Sequence, residues 1–210
     1  MPVASQMGAN AVCGTPDPIG IIEGEHALQL ELCDLLDVIA EGLPHAFDQS
    51  LAVIAVAILQ GSVPTHTRFE DEALFPLLRR RLTADDPVVS ALTCLEREHE
   101  WDAEIVNELT GALKSAAGNC AVQNPEALRQ SLRGFSESHR RHIAWEEQVV
   151  LPAARTALTE EDLAELQTWI MSSEHPRCSR QSLLAIRSVR TGVSLCRKCP
   201  SGSPSSSVAQ

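Results

Sequence analysis

Two segments of this chain carry the same three residue types at the same offsets. HTRFEDEALFP begins at His66 and HIAWEEQVVLP begins at His142, and each has a histidine, a glutamate four residues later and a proline six residues after the glutamate. Residues four apart in an α-helix lie on one face, one turn apart. The repeat therefore predicts two helices that each present a His/Glu pair to one side.

Both pairs lie on the apolar stripe of their helix, where core residues are expected. The two stripes are Val63, His66, Glu70, Ala73, Leu74 and Leu77, and Leu132, Phe135, His139, His142, Glu146 and Val149. An ionised carboxylate buried without a partner costs on the order of several kcal/mol. We therefore expect either that the two glutamates are neutral or that a cation lies between them.

Two further histidines occupy the same kind of position on other predicted helices. His26 lies one turn after Ile22, and His99 lies one turn after Leu95. One such histidine is usually an ordinary core residue, and one His/Glu pair is usually a surface ion pair, but four histidines and a repeated pair favour a metal site. Imidazole and carboxylate together suit Fe, Mn or Zn better than Mg or Ca. The candidate ligands are His26, His66, Glu70, His99, His142 and Glu146.

The helix signals in the rest of the chain indicate an all-α fold. An N-cap residue followed by proline occurs at Asp17-Pro18, Asp86-Pro87 and Asn124-Pro125, and Thr159 opens a capping box. Gly61 and Pro64 predict an irregularity just before His66. The predicted helices cover roughly 18–42, 47–82, 87–116 and 125–157, with a short fifth helix that ends near 172. Their short connections favour an antiparallel up-down-up-down four-helix bundle over residues 18–172.

Composition limits the environment in which the protein acts. The net charge is −11, so no nucleic-acid partner and no anionic membrane are expected for the bundle. The chain has seven cysteines, an odd number, and they are dispersed through helical segments. This pattern does not fit the disulfide framework of a secreted protein. The N-terminus lacks the pattern of a signal peptide, and the apolar run at 51–59 is too short to span a bilayer. We therefore expect a cytoplasmic protein, and the sequence identifies no protein partner.

The two ends of the chain differ from the bundle. Residues 1–17 are small and rich in Gly and Pro, which predicts a flexible N-terminus. Residues 173–210 carry six Lys/Arg against one acidic residue and are rich in Ser, which predicts a disordered basic tail. This tail also carries the zinc-like spacing His175, Cys178, Cys196 and Cys199. A tail zinc site and a disordered tail with incidental cysteines are both open.

Taken together, these residues resemble the hemerythrin-like family, also called the HHE cation-binding domain. The resemblance covers roughly residues 18–172. It rests on the isolated His26, on His66-x-x-x-Glu70 followed by LFP, on His99 in LEREHEWD, and on His142-x-x-x-Glu146 followed by LP. It implies a non-haem di-iron centre with an oxo or hydroxo bridge, in which the four histidines are terminal ligands and Glu70 and Glu146 bridge the two irons.

The chain departs from the oxygen-carrying members of that family at two positions. Ala103 stands where those proteins have a further histidine, and Glu146 follows its histidine by four residues where they have an aspartate after five. The pattern is closer to the bacterial and regulatory branch, which includes iron-centre repair proteins and iron or oxygen sensors. Two six-coordinate irons need about twelve ligand positions, and this set with its bridge fills about ten, so about two stay open.

Three functions are compatible with this ligand set. The first is a di-iron protein that binds or senses O₂, NO or iron. The second is a di-iron redox enzyme or iron donor that turns over peroxide, NO or O₂ or repairs iron–sulfur centres. The third is a zinc-bound structural bundle.

A different ligand set is also present in the sequence. Glu23-x-x-His26 and Glu96-x-x-His99 match the E-x-x-H motif of ferritin-like di-iron bundles, with Glu70 and Glu146 as the added carboxylates. This set leaves His66 and His142 without a role.

Several neighbours of the candidate ligands carry separate expectations. His139, three residues before His142, is either a partner of the site or a surface histidine at a helix end. Trp101 and Trp145 are expected to pack inside the bundle. Asp71 and Glu147 are expected to lie on solvated faces.

Overall fold

The structure, a computed structural model, describes residues 17–118, 122 and 124–172, and the structural statements below refer to them. These residues are mostly helical and contain no strand. Two π-helical turns, Glu70–Leu74 and Glu146–Val150, interrupt two of the long helical segments. The α-helices are α1 (Pro18–Gly42), α2 (Gln49–Gln60), α3 (Ser62–Phe69), α4 (Phe75–Arg81), α5 (Pro87–Ala117), α6 (Pro125–Trp145), α7 (Leu151–Ala157) and α8 (Glu160–Ser172).

The all-α prediction is confirmed, and the helix bounds agree with the sequence to within about two residues. The predicted flexible N-terminus and disordered tail lie outside the described residues, apart from Asp17. The candidate tail zinc ligands His175, Cys178, Cys196 and Cys199 also lie outside them.

Three of the long helices begin as predicted, with a side-chain cap followed by proline. Asp17 accepts a hydrogen bond from the backbone N–H of Ile19 at 3.1 Å, and Asp86 accepts one from Val88 at 2.9 Å. Asn124 caps α6 in the same way. The proline at the first helical position has no backbone N–H, and the cap side chain accepts from another N–H of the first turn. Fewer N–H groups are therefore left unpaired at the start of each helix.

The predicted irregularity before His66 is confirmed and lies at Gly61, between α2 and α3. The Gly61 N–H bonds back to Ala57 and Ile58, and a Cβ at Gly61 would lie 3.0 Å from the Ala57 carbonyl oxygen. A larger residue at position 61 would crowd this turn. The turn sets the direction of α3 and therefore the position of His66.

The two π turns explain why each glutamate is followed by a proline at the same distance. In each turn, the residue before the proline donates its backbone N–H to the carbonyl of the glutamate five positions earlier, Phe75 to Glu70 and Leu151 to Glu146. The proline itself has no N–H for a regular α-helical bond, and its ring clashes with the carbonyl four residues earlier. A wider turn relieves that clash.

The segment Gln49–Arg81 is 33 residues long and passes a length-and-composition test for a membrane-spanning helix, with a mean hydropathy of 1.3 in its most apolar window. Of that window, 39% is buried. One helix of this length and composition is weak evidence of a membrane span, because core helices of soluble proteins share both properties.

The buried apolar residues form two separate cores with a polar layer between them. One core contains the later part of α1, most of α2, the later part of α5 and the start of α6. The other contains the start of α1, both π turns, α4, α7 and α8. On α1 the boundary is clear, because Ile22 belongs to one core, Leu28 belongs to the other, and His26 lies between them. The candidate ligands form this middle layer.

Helix α8 closes the second core. Trp169 packs against Phe69 with ring centroids 5.0 Å apart. At its start, Asp162 accepts a hydrogen bond from the Thr159 N–H at 2.9 Å, and Arg80 and Arg81 bond to the same carboxylate at 2.8 and 2.6 Å. The predicted capping box is therefore confirmed, and it also ties α8 to α4.

Replacing Asp162 with alanine should lower the free energy of unfolding by about 1–2 kcal/mol, because the capping box loses the carboxylate that accepts from the Thr159 N–H and two arginines lose their shared partner. Thermal denaturation should show a melting temperature lower by roughly 2–8 °C. Glu161→Ala, an exposed change one residue earlier, is the matched control and should melt close to wild type. Equal melting of both variants would contradict the cap.

Candidate metal centre

The structure brings all six candidate ligands together in one buried cluster, called here the inner cluster. Its members are between 0 and 6% exposed. They form two groups of four, and in each group one ligand atom per residue lies within 4.8 Å of every other. The groups are His26, His66, Glu70 and Glu146, and Glu70, His99, His142 and Glu146. The two groups share both glutamates, and each of them could hold a metal ion.

The distances inside the cluster suit metal coordination. The Nε2 atom of every inner histidine lies near an oxygen of a shared glutamate. Two ligands each about 2.1 Å from one ion at right angles lie about 3 Å apart. The separations are His26–Glu146 3.2 Å, His66–Glu70 3.4 Å, His142–Glu146 2.8 Å and His99–Glu70 3.5 Å.

Several polar atoms of the cluster lack a hydrogen-bond partner among the described residues. Both carboxylate oxygens of Glu70 and both of Glu146 are in this state, as are Nε2 of His66 and both ring nitrogens of His26. Leaving a buried acceptor unsatisfied costs about 1–3 kcal/mol, and more for a charged group. A cation among these atoms would satisfy them together, so the residues present fit a metal pair.

Each inner histidine also has a carboxylate beside its other ring nitrogen. We call these four residues the outer carboxylates. Their distances to Nδ1 are Glu147 to His26 3.4 Å, Glu25 to His66 2.9 Å, Asp71 to His99 2.8 Å and Glu98 to His142 2.9 Å. A carboxylate that accepts the Nδ1 proton leaves the Nε2 lone pair free for a metal and fixes the ring plane.

The outer carboxylates link the helices in a closed ring. Each of them is adjacent in sequence to one inner residue but faces a histidine on another helix or turn. Glu25, next to His26, faces His66; Asp71, next to Glu70, faces His99; Glu98, next to His99, faces His142; and Glu147, next to Glu146, faces His26. Each helix therefore helps to orient the ligand of its neighbour.

Asp71 and Glu147 are partly solvated, as expected, but they also have a second contact that was not predicted. Their side chains are 35% and 46% exposed, yet each also reaches the ring of an inner histidine. Glu25 and Glu98 were not predicted at all. The signal was available, because an acidic residue stands directly beside four of the six inner residues. On an α-helix, however, a residue next to a ligand is rotated by about 100° around the axis, so helical spacing alone does not direct it toward the site.

The ferritin-like ligand set is wrong. Glu23 bonds to Arg155 at 2.7 Å and Glu96 bonds to Arg79 at 2.8 Å, and neither carboxylate belongs to the cluster. Both are surface ion pairs that hold the helices together from outside.

His139 is a buried neighbour of the cluster, so the expectation of a surface histidine is wrong. Its ring stacks on that of His142 with centroids 6.0 Å apart, and its Nε2 lies 2.6 Å from the side-chain oxygen of Gln29. Trp101 and Trp145 do not pack inside the bundle, since they are 65% and 48% exposed. They fall on the outward side of α5 and α6, between the positions that face the core.

The two shared glutamates differ in their acidity. Burial and the nearby Glu146 carboxylate raise the pKa of Glu70 well above its ordinary value. Burial acts to raise the pKa of Glu146 as well, but the adjacent imidazoles of His142, His26 and His99 outweigh it and hold that pKa well below its ordinary value. Without metal, these opposite shifts favour a proton on Glu70 and a negative charge on Glu146.

The histidines divide in a similar way. Burial and the charge of His26 hold the pKa of His66 well below its ordinary value. Burial also acts to lower the pKa of His99, but Asp71 and Glu146 raise it to about 9. The pKa of His142 is raised by Glu146 against the effect of burial. Since the two Nε2 atoms of His99 and His142 lie 3.0 Å apart, they share one proton readily but not two.

Comparison with known proteins agrees with this geometry. A family model described as the hemerythrin HHE cation-binding domain matches residues 17–154, which include the whole inner cluster and all four outer carboxylates. Searches of curated proteins and of solved structures give no match. The matched span is well over half of the 210 residues. The chain therefore belongs to the hemerythrin HHE cation-binding domain family.

Proposed function

We propose that this protein holds two iron ions in the inner cluster and uses them to bind or sense a small molecule such as O₂ or NO. The observation that carries the proposal is the pair of ligand groups that share Glu70 and Glu146. One group would hold an ion through His26 and His66, and the other through His99 and His142. A mixed imidazole and carboxylate set of this kind suits iron, and the ions would supply redox and ligand-binding chemistry that no side chain here has.

The protein's own residues would prepare the site for that chemistry. Three of the outer carboxylates, Glu25, Asp71 and Glu98, hold the Nδ1 protons of their histidines and keep each Nε2 directed inward. The two apolar cores on either side exclude water and strengthen the attraction between cations and the two glutamates. The π turns place each glutamate at the start of a widened turn, where its side chain reaches both ion positions.

We also propose that the long helical segments run up-down-up-down as an antiparallel bundle. Supporting this, α1 packs along α6, α2 packs along α5, and α5 packs against α6. The connections between successive long segments are only a few residues, which favours antiparallel neighbours. Cys33 and Cys94, the cysteines among the described residues, are both free thiols, which supports a cytoplasmic location.

Elemental analysis together with an optical spectrum of the freshly purified protein tests the metal. We expect about two irons per chain and, in the oxidised protein, the near-ultraviolet absorption of bridged ferric ions. Zinc in place of iron, with no such absorption, would instead support a structural zinc bundle. Zinc that is lost in the full-length Cys196→Ser/Cys199→Ser variant belongs to the tail and not to the cluster.

The reaction with oxygen separates a binding protein from an enzyme. When the diferrous protein is mixed with O₂ in a stopped-flow instrument, a long-lived spectral change that reverses on removal of O₂ supports binding. Prompt oxidation that consumes electrons in each cycle supports turnover of O₂ or peroxide. The same mixing experiment with NO shows which of the two gases is held longer.

A further inference from the structure

A cleft between α3 and α5 leads from the surface to the inner cluster. It has a volume of about 300 Å³, and small or apolar side chains such as Thr67, Ala103 and Val106 form its walls. His99 lies at its inner end. Because Ala103 is exposed and small, the cleft is open at this wall. The α3–α5 cleft therefore provides a path to one of the two ligand groups.

The charge of this cleft is negative. The carboxylates of Asp71, Glu72 and Asp102 line it, and the basic lining residues are Arg68 and His99, so the carboxylates are in excess. Arg68 is itself 3.9 Å from Glu72, and its guanidinium lies over the Trp169 ring at 5.5 Å. The remaining excess of carboxylates attracts cations and repels anions.

The unsatisfied oxygens of the inner cluster lie directly behind the end of the cleft. His99 Nε2 is 3.5 Å from Glu70 Oε2, and both Glu70 oxygens are buried without a hydrogen-bond partner among the described residues. A cation that reaches His99 thus meets the next carboxylate at once. Asp102 and Asp71 line the cleft, and the carboxyl group of Glu70 lies behind them, next to His99.

A second cleft reaches the cluster but lacks this charge. It lies between α5 and α6, also has a volume of about 300 Å³, and ends at His142. Glu98 and Arg141 both line it, so their charges largely cancel. For a cation, the α3–α5 cleft is the more favourable path.

We propose that the α3–α5 cleft is the route by which divalent metal ions enter the inner cluster, with Asp102 attracting the ion and the small side chain of Ala103 keeping the path open. This proposal rests on the proposed function only in requiring that the cluster binds metal.

The test measures how fast the metal-free, full-length protein takes up Co²⁺ or anaerobic Fe²⁺ in a stopped-flow instrument at low ionic strength. Asp102→Asn should slow uptake about fivefold, the factor expected for a divalent ion about 8 Å from a unit charge in water. The difference should shrink at high salt, where the charge is screened. The final stoichiometry of two ions per chain should not change.

Matched controls separate the cleft from general charge and size effects. Glu100→Gln removes a charge from an exposed position two residues earlier on α5 that does not line the cleft, and it should load at nearly the wild-type rate. Ala103→Phe should slow uptake by more than fivefold at any salt concentration, because its ring covers the mouth of the cleft, whereas Ala103→Ser should not slow it. The exposed position of residue 103 keeps the larger side chain from straining the core.

Each result decides the matter. Slower uptake in both Asp102→Asn and Ala103→Phe, with unchanged controls, supports the route. Wild-type rates in either of these variants, or equal slowing in Glu100→Gln, would overturn it. If the wild-type protein itself takes up no metal pair, the proposed function is wrong, and that result is distinct from a protein that loads two ions by another path.

Discussion

Replacing His142 with alanine should leave one of the two ion positions almost empty under conditions that fill both in the wild type. That position would keep one histidine, His99, and the shared glutamates. Loss of a partner that only orients a ligand costs about 10- to 100-fold in metal affinity, so loss of the ligand itself should cost at least 100-fold. Metal analysis after dialysis against a weak chelator should show about one ion per chain.

The same variant should lose much of the stabilisation that metal gives. An ion that binds only the folded chain stabilises it by about 4 kcal/mol when its free concentration is 1,000 times the dissociation constant. We therefore expect the melting temperature of the wild type to rise on metal addition by roughly 8–16 °C and that of the variant to rise much less. His45→Ala is the control, because His45 is exposed and outside the cluster. A His142→Ala protein that keeps two ions and the full rise in melting temperature would remove His142 from the ligand set.

Metal binding should release about two protons per chain near neutral pH, and affinity should therefore rise steeply with pH. The raised pKa of Glu70 keeps a proton on that carboxyl, and the His99/His142 pair holds a second one because the pKa of His99 is about 9. Both protons must leave before the oxygens and nitrogens can bind an ion. With two protons released, affinity for the ion pair should change about 100-fold per pH unit. A pH-indicator dye in weakly buffered solution measures the release directly.

The metal-free protein should respond to pH in the opposite direction. Because the folded chain holds the proton on His99 more tightly than the unfolded chain, this stabilisation is complete below about pH 6.5 and is lost as the pH rises toward 9. Glu70 acts in the same direction, since its pKa is also raised. Glu70→Gln, which resembles the protonated side chain, should be less sensitive to pH and should release about one proton fewer on metal binding. A metal-free wild type whose melting temperature is flat from pH 6.5 to 9 would contradict these assignments.

The starts of the helices and the convergence of the six inner residues follow from the sequence because both depend on local rules. A capping side chain followed by proline defines the first residue of a helix independently of the tertiary contacts that the helix makes. A His/Glu pair four residues apart must share a face, and an apolar stripe shows which face is buried. His66 with Glu70 and His142 with Glu146 obey these rules, so the shared buried face of each pair is predictable from spacing alone, and one common bundle interior brings the pairs together.

The positions of the outer carboxylates depend on relations between helices, which spacing does not contain. Glu25 faces His66 because α1 and α3 pack side by side with a particular rotation. Trp101 and Trp145 were expected inside because large aromatic side chains favour burial, but both fall between the positions of α5 and α6 that face the core. Periodicity says how residues on one helix relate to each other and leaves the neighbouring helix undefined.

The π turns make the fold depend on the exact number of residues in each helical segment. Each widened turn inserts about one residue into an otherwise regular helix, so α4 and α7 are turned by about 100° relative to an uninterrupted helix. Deleting one residue between positions 71 and 74 would rotate α4 back by about 100°. Leu77 and Leu78, now buried in the second core, would swing toward water while the neighbouring arginines turned inward. Such a deletion keeps every metal ligand, but α4 would no longer pack in the apolar core that α8 covers.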